Sequence, residues 1–313
     1  CLVDKLEVKT KIKQVYPDLT INSLEFLGAG FDSEAFLLNQ TYVFKFPRHT
    51  RAARNLYKEA FILKEIKDQL PLKVPEVCFI GKSSKPKQLE FVGHEKIAGV
   101  PLDAEILATL SEERKDELAH ELAAFFKALH SINLATTIDD LQVNKKAKAA
   151  HEYDVIKQAA YPLLKEAVQQ EIDDVYQRIL RHDFHYKKCL IHNDFGASNV
   201  YYDQETNRIC GLIDFGDIAI YDRDMEFICL LFDYEEGFDQ DFVKKMMEYY
   251  GIDAVELQNK LDFVDFYNQL ENVYLGKEFG MEDLFEEGIA EIQNGLKGFK
   301  ENILLEDKTI YYI

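Results

Sequence analysis

Two short polar motifs in the second half of the chain have residue types that could do chemistry together. Residues 192–199 read H-N-D-F-G-A-S-N, and residues 213–217 read I-D-F-G-D. They supply a carboxylate at Asp194, an amide at Asn199 and a second carboxylate at Asp214. A transferring phosphoryl group concentrates negative charge, which divalent cations neutralise while a carboxylate aligns the acceptor hydroxyl. The combination therefore favours phosphoryl transfer.

The residue types also suggest a division of roles within these motifs. Asn199 and Asp214 offer the hard oxygen ligands that Mg²⁺ prefers, and two such ions are expected. Asp194 shares a loop with Asn199 but lies too far along it to be an obvious third metal ligand. It would instead accept the proton of the attacking hydroxyl, or orient that hydroxyl. His192 is expected to organise the loop. Either motif alone is common in turns, since Asp and Asn bond to nearby backbone, so the prediction rests on their combination.

The segments around the motifs predict that the two meet. Residues 199–202 (N-V-Y-Y) and 208–214 (R-I-C-G-L-I-D) have the pattern of two strands joined by a turn. A hairpin formed by these strands places both motifs at one end of a small sheet.

The N-terminal part of the chain has the pattern of an antiparallel meander. Residues 21–46 alternate short apolar runs with turn signals. The loop from Gly28 to Ser33 could fold its backbone over nucleotide phosphates, because glycine permits close approach. Ser33 stands where G-x-G-x-x-G has its third glycine, so an ordinary hairpin turn is an equal alternative for this loop.

Lys45 lies inside an apolar strand, Y-V-F-K-F, and faces the same side as Val43 and Pro47. A lysine on an apolar face needs a partner. An apolar stripe predicts a helix over 52–70, with Glu59 at its margin. A Lys45–Glu59 ion pair would hold the lysine against nucleotide phosphates. The alternative is that Lys45 reaches water and Glu59 pairs with a basic neighbour on its own helix.

A change in pattern near residue 100 divides the chain. Strand-like segments precede A-G-V-P-L at 98–102, and helices dominate after it. We expect an α+β protein with a nucleotide-binding lobe at 1–98, built from an antiparallel sheet with a helix. A larger, mostly helical lobe at 99–313 would carry the catalytic loop and the acidic helices. At the crossing, position alone suggests that backbone groups of Glu95, Lys96 and Ile97 hydrogen-bond the purine.

Length and composition agree with an enzyme that has a substantial core. The chain has 313 residues, of which 47% are hydrophobic. Its five cysteines are odd in number and lack a C-x-x-C pair, so neither a disulfide framework nor a zinc site is indicated, and a reducing cytoplasm is expected. No apolar run is long enough to cross a bilayer and the N-terminus is mixed in charge, so neither export nor a membrane partner is expected.

The formal net charge of -19 bears on the choice of partner. Most of the excess acidity lies between Asp222 and Asp307. Such a field repels nucleic acid and attracts cations, which favours a small polycationic substrate. The alternative is that most of these carboxylates form ordinary solvated helix faces.

Taken together, the motifs resemble those of the aminoglycoside phosphotransferases, most closely the 2''-type enzymes. The likeness covers nearly the whole chain and rests on Y-P-D-x-T-I-N at 16–22, V-F-K-F-P at 43–47, G-V-P-L at 99–102, L-H-S-I-N at 129–133, C-L-I-H-N-D-F at 189–195, I-D-F-G-D at 213–217 and G-K-E-F-G at 276–280. The resemblance implies a protein-kinase-like two-lobe fold. It also implies transfer of the γ-phosphate of ATP or GTP to a sugar hydroxyl of an aminoglycoside, here the 2''-hydroxyl, by a monomer.

The resemblance assigns the same roles to the motif residues. Asp194 matches the catalytic aspartate, Asn199 and Asp214 match the magnesium ligands, and Lys45 with Glu59 matches the phosphate clamp. Four further carboxylates fall where the family places acidic groups near substrate ammonium groups, namely Asp217, Glu235, Glu236 and Glu271.

Two departures from the family pattern bear on the ligands. The chain has no tryptophan, and Asn268 stands where close relatives carry an aromatic residue, which leaves the range of acceptors open. His94 precedes the crossing where relatives carry a larger aromatic residue or Met, which leaves the choice between ATP and GTP open, with the 2''-type resemblance favouring GTP or dual use.

Two other functions are compatible with parts of the pattern. A kinase of the same fold could act on choline or a macrolide, but the acidic last third would then serve no substrate. A non-catalytic nucleotide-binding module is disfavoured because Lys45, Asp194, Asn199 and Asp214 are all present. A protein kinase is disfavoured because no long activation segment follows the second motif.

Overall fold

A computed structural model describes residues 4–135, 137–182, 186–231, 237–252 and 254–299. The chain divides into two compact units. Unit 1 comprises Cys1–Leu141, Cys189–Ile220 and Phe232–Tyr250, and unit 2 comprises Gln142–Lys188, Tyr221–Leu231 and Gly251–Ile313. The lobe boundary predicted between residues 98 and 99 lies inside unit 1 and stays a prediction.

Helices and strands have the following bounds within the described residues. The helices are α1 (Lys5–Val15), α2 (Thr50–Ile66), α3 (Ala104–Ala108), α4 (Glu112–Ser131), α5 (Lys145–Ala159), α6 (Glu166–Arg181), α7 (Met225–Ile228), α8 (Gln240–Tyr250), α9 (Ala254–Glu278) and α10 (Glu282–Ile292). The strands are β1 (Leu24–Ala29), β2 (Ser33–Leu38), β3 (Tyr42–Pro47), β4 (Val77–Lys82), β5 (Leu89–Glu95), β6 (Val100–Pro101), β7 (Lys188–Ile191), β8 (Val200–Asp203), β9 (Arg208–Leu212) and β10 (Ala219–Asp222). The predicted α+β class is confirmed.

Unit 1 contains an antiparallel sheet in the order β1-β2-β3-β5-β4, so the predicted meander is confirmed. Side chains alternate between its faces, as the period of two in a strand requires. Phe44 and Phe46 of β3 pack on one face with α1 residues such as Ile12. Leu56 and Ala60 of α2 pack on the opposite face with Val92 of β5. Lys45 alternates with the two phenylalanines and therefore faces the side of the sheet that α2 covers.

The helix predicted over 52–70 begins and ends earlier than predicted. α2 ends at Ile66 and is followed by a 3-10 turn at Lys67–Gln69. Leu70 is extended, because the proline that follows it disfavours a helical conformation in the preceding residue. α4 begins after Ser111, whose hydroxyl accepts a hydrogen bond from the Arg114 amide at 3.2 Å.

The predicted hairpin forms in unit 1, where β8 pairs antiparallel with β9 and β6 adds to the outer edge of β8. Gly99 precedes β6 with φ +99, a conformation that favours glycine. A Cβ built on Gly99 would lie 2.5 Å from the carbonyl oxygen of Tyr202. The hairpin and the strand at 100–101 are therefore in close backbone contact.

Replacing Gly99 by Ala should lower the free energy of unfolding by about 2–4 kcal/mol, because backbone strain and overpacking each cost about 1–3 kcal/mol. Gly251→Ala is the matched control, since Gly251 has φ +90 but no neighbouring atom within 4 Å of an added Cβ. Urea unfolding of both variants separates strain from overpacking. Equal losses in the two variants would contradict the close contact at Gly99.

Unit 2 has a helical core. α5 and α6 flank the 3-10 turn Tyr161–Leu163, in which Pro162 separates the two helices. α9 packs on α10 at Gly276, where a Cβ would lie 2.4 Å from the Phe285 backbone nitrogen. The core is formed by buried side chains that include Ile172, Tyr176, Phe263, Leu270 and Val273. Among the described residues, no helix has both the length and the apolar composition that crossing a bilayer requires.

Candidate active site

The hairpin β8–β9 brings the two polar motifs together at its base. The first motif follows β7 and leads into β8, and Asp214 follows β9. The backbone amide of Ile213 donates to the carbonyl oxygen of Asn199 at 2.9 Å. The Asn199 side-chain amide donates to the carbonyl oxygen of Asp194 at 2.7 Å. The structure therefore places Asp194, Asn199 and Asp214 in one connected segment, as the sequence predicted.

His192 links the two motifs from a fully buried position. Its Nε2 lies 2.9 Å from the carbonyl oxygen of Ile213, and its Nδ1 lies 3.3 Å from the backbone amide of Asp194. A carbonyl only accepts and an amide only donates, so Nε2 carries the proton and Nδ1 accepts. Both ring nitrogens thus bond to backbone, which fits the organising role predicted for His192.

Backbone strain marks the second motif. Asp214 has φ 66, a left-handed conformation that is uncommon for a residue with a Cβ. Such strain persists where the surrounding structure over-determines the residue, and it concentrates at functional sites. Here it orients the carboxylate of Asp214 toward Lys45, with 2.9 Å between Oδ1 and Nζ.

Lys45 is held by two carboxylates. Its Nζ lies 3.4 Å from Oε1 of Glu59 as well as 2.9 Å from Oδ1 of Asp214. Burial would lower the pKa of Lys45, but the carboxylates of Glu59 and then Asp214 outweigh burial and raise it. Lys45 in turn lowers the pKa of Asp214. The lysine is therefore charged at neutral pH, and the alternative in which Glu59 pairs only within its own helix does not match this geometry.

A cavity of about 880 Å³ in unit 1 contains these groups. Its lining includes eight of the predicted site residues: Gly28, Ser33, Lys45, Glu59, Ile97, Asp194, Asp214 and Asp217. Glu95 and the buried Asn199 lie outside this lining set among the described residues. A cavity of this size is ample for a nucleotide.

The glycine-containing loop forms one edge of the cavity. The amide of Gly30 donates to the carbonyl oxygen of Ser33 at 2.9 Å, which closes the turn. The Arg48 guanidinium donates to the carbonyl oxygen of Gly30 at 2.6 Å and holds the loop against β3. Phosphate binding and the ordinary hairpin turn are thus not exclusive, because a closed turn borders the cavity.

His94 lines the cavity and is neutral. Burial first, and then the charge of Lys45, lowers the pKa of His94 to about 4. Its Nδ1 donates to the carbonyl oxygen of Glu95 at 2.9 Å. His94 is therefore a neutral imidazole fixed by its own strand, beside residues 96 and 97 that also line the cavity.

Carboxylates crowd the catalytic end of the cavity. Withdrawal from bulk water and the carboxylates of Asp217, Asp214 and Asp32 raise the pKa of Asp194 to about 7, while Lys45 opposes the shift. Asp194 is exposed to solvent and lines the cavity, so repulsion by the neighbouring carboxylates acts on it together with partial burial. Crowded like charges with oxygen donors are the chemistry that attracts a hard cation.

The donor atoms of Asn199 and Asp214 are of the kind that magnesium prefers. No cluster of three or more His, Cys, Asp or Glu side chains arranged for a metal occurs among the described residues. The expected donor set instead combines one carboxylate, Asp214, with one amide, Asn199. Phosphate oxygens of a bound nucleotide commonly supply the remaining ligands of Mg²⁺ in such sites.

Two site residues escaped sequence reasoning, and both lie on α2. The Arg51 guanidinium and the Asn55 amide lie 3.4 Å and 3.3 Å from Oδ1 of Asp217. Asn55 also donates to Asp32 at 3.1 Å. The available signal was their spacing, because residues i and i+4 share one face of a helix. Their contact with Asp217 joins parts of the chain that no local pattern connects.

The predicted substrate carboxylates have different outcomes. Asp217 lines the cavity. Glu271 lies on α9 in unit 2, where its Oε1 is 3.5 Å from Nζ of Lys148. Lys148 also lies 3.4 Å from the buried Glu152. Glu235 and Glu236 lie outside the described residues.

The cavity holds a charged lysine between a carboxylate on a helix and an aspartate that follows a hairpin, and an exposed aspartate lines the same cavity. Kinases use this arrangement to position a nucleoside triphosphate for transfer. The fold and the cavity thus define a kinase-like phosphotransferase. A family model described as the phosphotransferase enzyme family matches residues 23–263, and the chain belongs to this family. The resemblance inferred from the motifs is confirmed.

Solved structures of similar chains carry the comparison further. The gentamicin complex of APH(2")-IIa is 28% identical with a TM-score of 0.79, and 100% of each chain is covered. A GDP and kanamycin complex of another APH(2") enzyme is 30% identical with a TM-score of 0.75, covering 95% of this chain and 99% of that chain. A streptomycin-ATP ternary complex of APH(2")-IIa is 27% identical with a TM-score of 0.76, and 100% of each chain is covered.

Proposed function

We propose that the protein phosphorylates aminoglycosides, transferring the γ-phosphate of ATP or GTP to a sugar hydroxyl, the 2''-hydroxyl. The observation that carries the proposal is the cavity that holds Lys45, clamped by Glu59 and Asp214, together with the exposed carboxylate of Asp194. The complexes of similar enzymes with gentamicin, kanamycin and streptomycin support the acceptor class. The proposal includes a monomer acting in the cytoplasm.

The donor end of the cavity binds and orients the triphosphate. Lys45 contacts the phosphates and stays charged because two carboxylates flank it. The loop from Gly28 to Ser33 covers them with backbone groups, and backbone groups of Glu95 and Ile97 hold the purine. Asn199 and Asp214 would hold Mg²⁺, which would supply positive charge to neutralise the phosphates.

Asp194 performs the acceptor half of the reaction in this proposal. Its carboxylate accepts a hydrogen bond from the attacking hydroxyl and receives its proton as transfer proceeds. A pKa raised toward neutrality suits this role, since a general base works best when its pKa is near the operating pH. His192 and Asn199 hold the loop so that the carboxylate faces the cavity.

Acidic side chains are proposed to bind the ammonium groups of the acceptor. Asp217 lies in the cavity beside Asp194. Glu235, Glu236 and Glu271 are proposed to bind further ammonium groups. Glu271 already lies near an ammonium group, that of Lys148, so its surroundings tolerate a cation.

The proposal is tested by assaying the purified protein with kanamycin, gentamicin, erythromycin and choline, each with ATP and with GTP. We expect phosphorylation of the two aminoglycosides and negligible turnover of erythromycin and choline. NMR of the kanamycin product identifies the hydroxyl that carries phosphate. Preferred turnover of choline or erythromycin would replace the proposal with the alternative acceptor.

Replacing Glu271 by Gln should raise the KM for kanamycin by about threefold to tenfold, the scale of a partly screened ion pair, and leave the KM for nucleotide unchanged. The increase should shrink at high salt. Glu278→Gln is the matched control, since Glu278 lies on the same helix with similar side-chain exposure, 34% against 31%. A change in nucleotide KM, or an equal change in the control, would place Glu271 outside the acceptor site.

A further inference from the structure

Arg51 is paired with a carboxylate that the proposed function assigns to the acceptor. Its Nη2 lies 3.4 Å from Oδ1 of Asp217, and both residues line the cavity. The pair is partly open to solvent, with 46% and 32% of the two side chains exposed. A long, partly exposed ion pair contributes little to stability, so Arg51 can exchange its partner at low cost.

A terminal phosphate is a stronger partner for Arg51 than Asp217 is. A guanidinium binds phosphate through two parallel hydrogen bonds, a geometry that the observed pair lacks. Lys45, the other cation of the proposed donor site, is already paired with Glu59 and Asp214. Arg51 is a further cation that lines the same cavity.

The position of Arg51 matches the end of the triphosphate that reacts. Arg51, Asp194 and Asp217 all line the same cavity, and Nη2 of Arg51 lies 3.4 Å from Oδ1 of Asp217. The terminal phosphate must lie beside Asp194 for transfer to the hydroxyl that Asp194 aligns. The same phosphate is then within the neighbourhood of Arg51.

We infer that Arg51 moves its guanidinium from Asp217 to the terminal phosphate when a nucleoside triphosphate binds, which frees the Asp217 carboxylate for an ammonium group of the acceptor. This inference rests on the proposed function for the identity of the acceptor. Asn55 continues to donate to Asp217 at 3.3 Å, so the carboxylate keeps its orientation after Arg51 leaves. Binding of the nucleoside triphosphate thereby increases the affinity for the aminoglycoside, and this increase requires the terminal phosphate.

The test measures binding rather than turnover, by calorimetry with Mg²⁺ present. AMP-PNP is compared with ADP, and GMP-PNP with GDP, on the wild type, Arg51→Gln and Arg54→Gln. Arg54 is the matched control, because it lies on the same helix, is 53% exposed and approaches only to 3.9 Å of Asp140. Kanamycin binding is then measured with no nucleotide, with the diphosphate and with the triphosphate analogue.

Arg51→Gln should weaken binding of the triphosphate analogue by about tenfold or more, the scale of a charge-assisted contact, and weaken the diphosphate by less than about twofold. In the wild type the triphosphate analogue should tighten kanamycin binding relative to the diphosphate. In Arg51→Gln this difference in kanamycin affinity should vanish, because no arginine is paired with Asp217 in either nucleotide state. Arg54→Gln should behave as the wild type, and Arg51→Lys should recover part of the triphosphate affinity.

The outcomes separate the inference from the proposed function. Equal weakening of triphosphate and diphosphate by Arg51→Gln, or no weakening, overturns the inference even if kanamycin is phosphorylated. A coupling between nucleotide and kanamycin that survives in Arg51→Gln overturns it as well. If kanamycin binds to no variant, the proposed acceptor is wrong, and the triphosphate comparison still decides whether Arg51 binds the terminal phosphate.

Discussion

Replacing Asp194 by Asn should lower kcat for kanamycin phosphorylation by about 10²- to 10⁴-fold, the usual contribution of a general base. Asn keeps the size of the side chain and its capacity to accept a hydrogen bond, but it does not take up the proton of the hydroxyl. The carboxylate crowding that raises the pKa of Asp194 is relieved in this variant, so the fold should persist.

The affinity for nucleotide provides the control for this variant. Lys45, Glu59 and Asp214 form the donor end of the cavity and are unchanged. ADP binding should therefore stay within about twofold of the wild type, since only the acceptor half of the reaction is removed. Steady-state kinetics with calorimetry of ADP binding makes the comparison. Undiminished turnover would remove Asp194 from the mechanism, and a large loss of ADP affinity would indicate a structural effect.

Replacing Lys145 by Met should lower the free energy of unfolding by about 3–5 kcal/mol, the cost of leaving a buried charge without its partner. In unit 2 the Lys145 ammonium lies 2.8 Å from Oδ2 of Asp222, with side-chain exposures of 1% and 0%. It also lies over the rings of Tyr186 and Tyr221. The change removes the Lys145 charge and leaves the Asp222 carboxylate buried.

Lys245→Met is the matched control for this variant. Lys245 lies 2.9 Å from Asp116, almost the same separation, but the side chains are 42% and 35% exposed. Its replacement should cost much less than that of Lys145, because water screens the pair. The double variant Lys145→Met with Asp222→Asn should recover part of the loss. Urea unfolding that gives equal losses for the two lysines would contradict the assignment of Lys145 and Asp222 as a buried pair.

Local features of the sequence predicted much of the fold. Ser111 begins α4 because its hydroxyl accepts from the amide three residues on, which is visible in the sequence as a polar residue before a helical pattern. The strands around Lys45 follow from alternation alone. The pairing of β8 with β9 follows from two apolar runs separated by a turn. Each of these features depends on neighbours within a few residues.

The contacts that sequence reasoning missed join distant parts of the chain. Lys145 begins α5 and Asp222 ends β10, and only the folded structure shows that both side chains are buried. Arg51 and Asn55 lie on the polar face of α2. Their contact with Asp217 of the second motif is visible only in the folded structure. The spacing of residues along a helix determines which of them share a face, but the surface that packs against this face depends on tertiary structure.

The donor site itself is tested most directly by a crystal structure of the protein with AMP-PNP and Mn²⁺, which replaces Mg²⁺ and scatters anomalously. The account predicts anomalous density beside Asn199 and Asp214, with the triphosphate against Lys45 and its terminal phosphate facing Asp194. Manganese bound away from Asn199 and Asp214, or a triphosphate that lies away from Lys45, would contradict it.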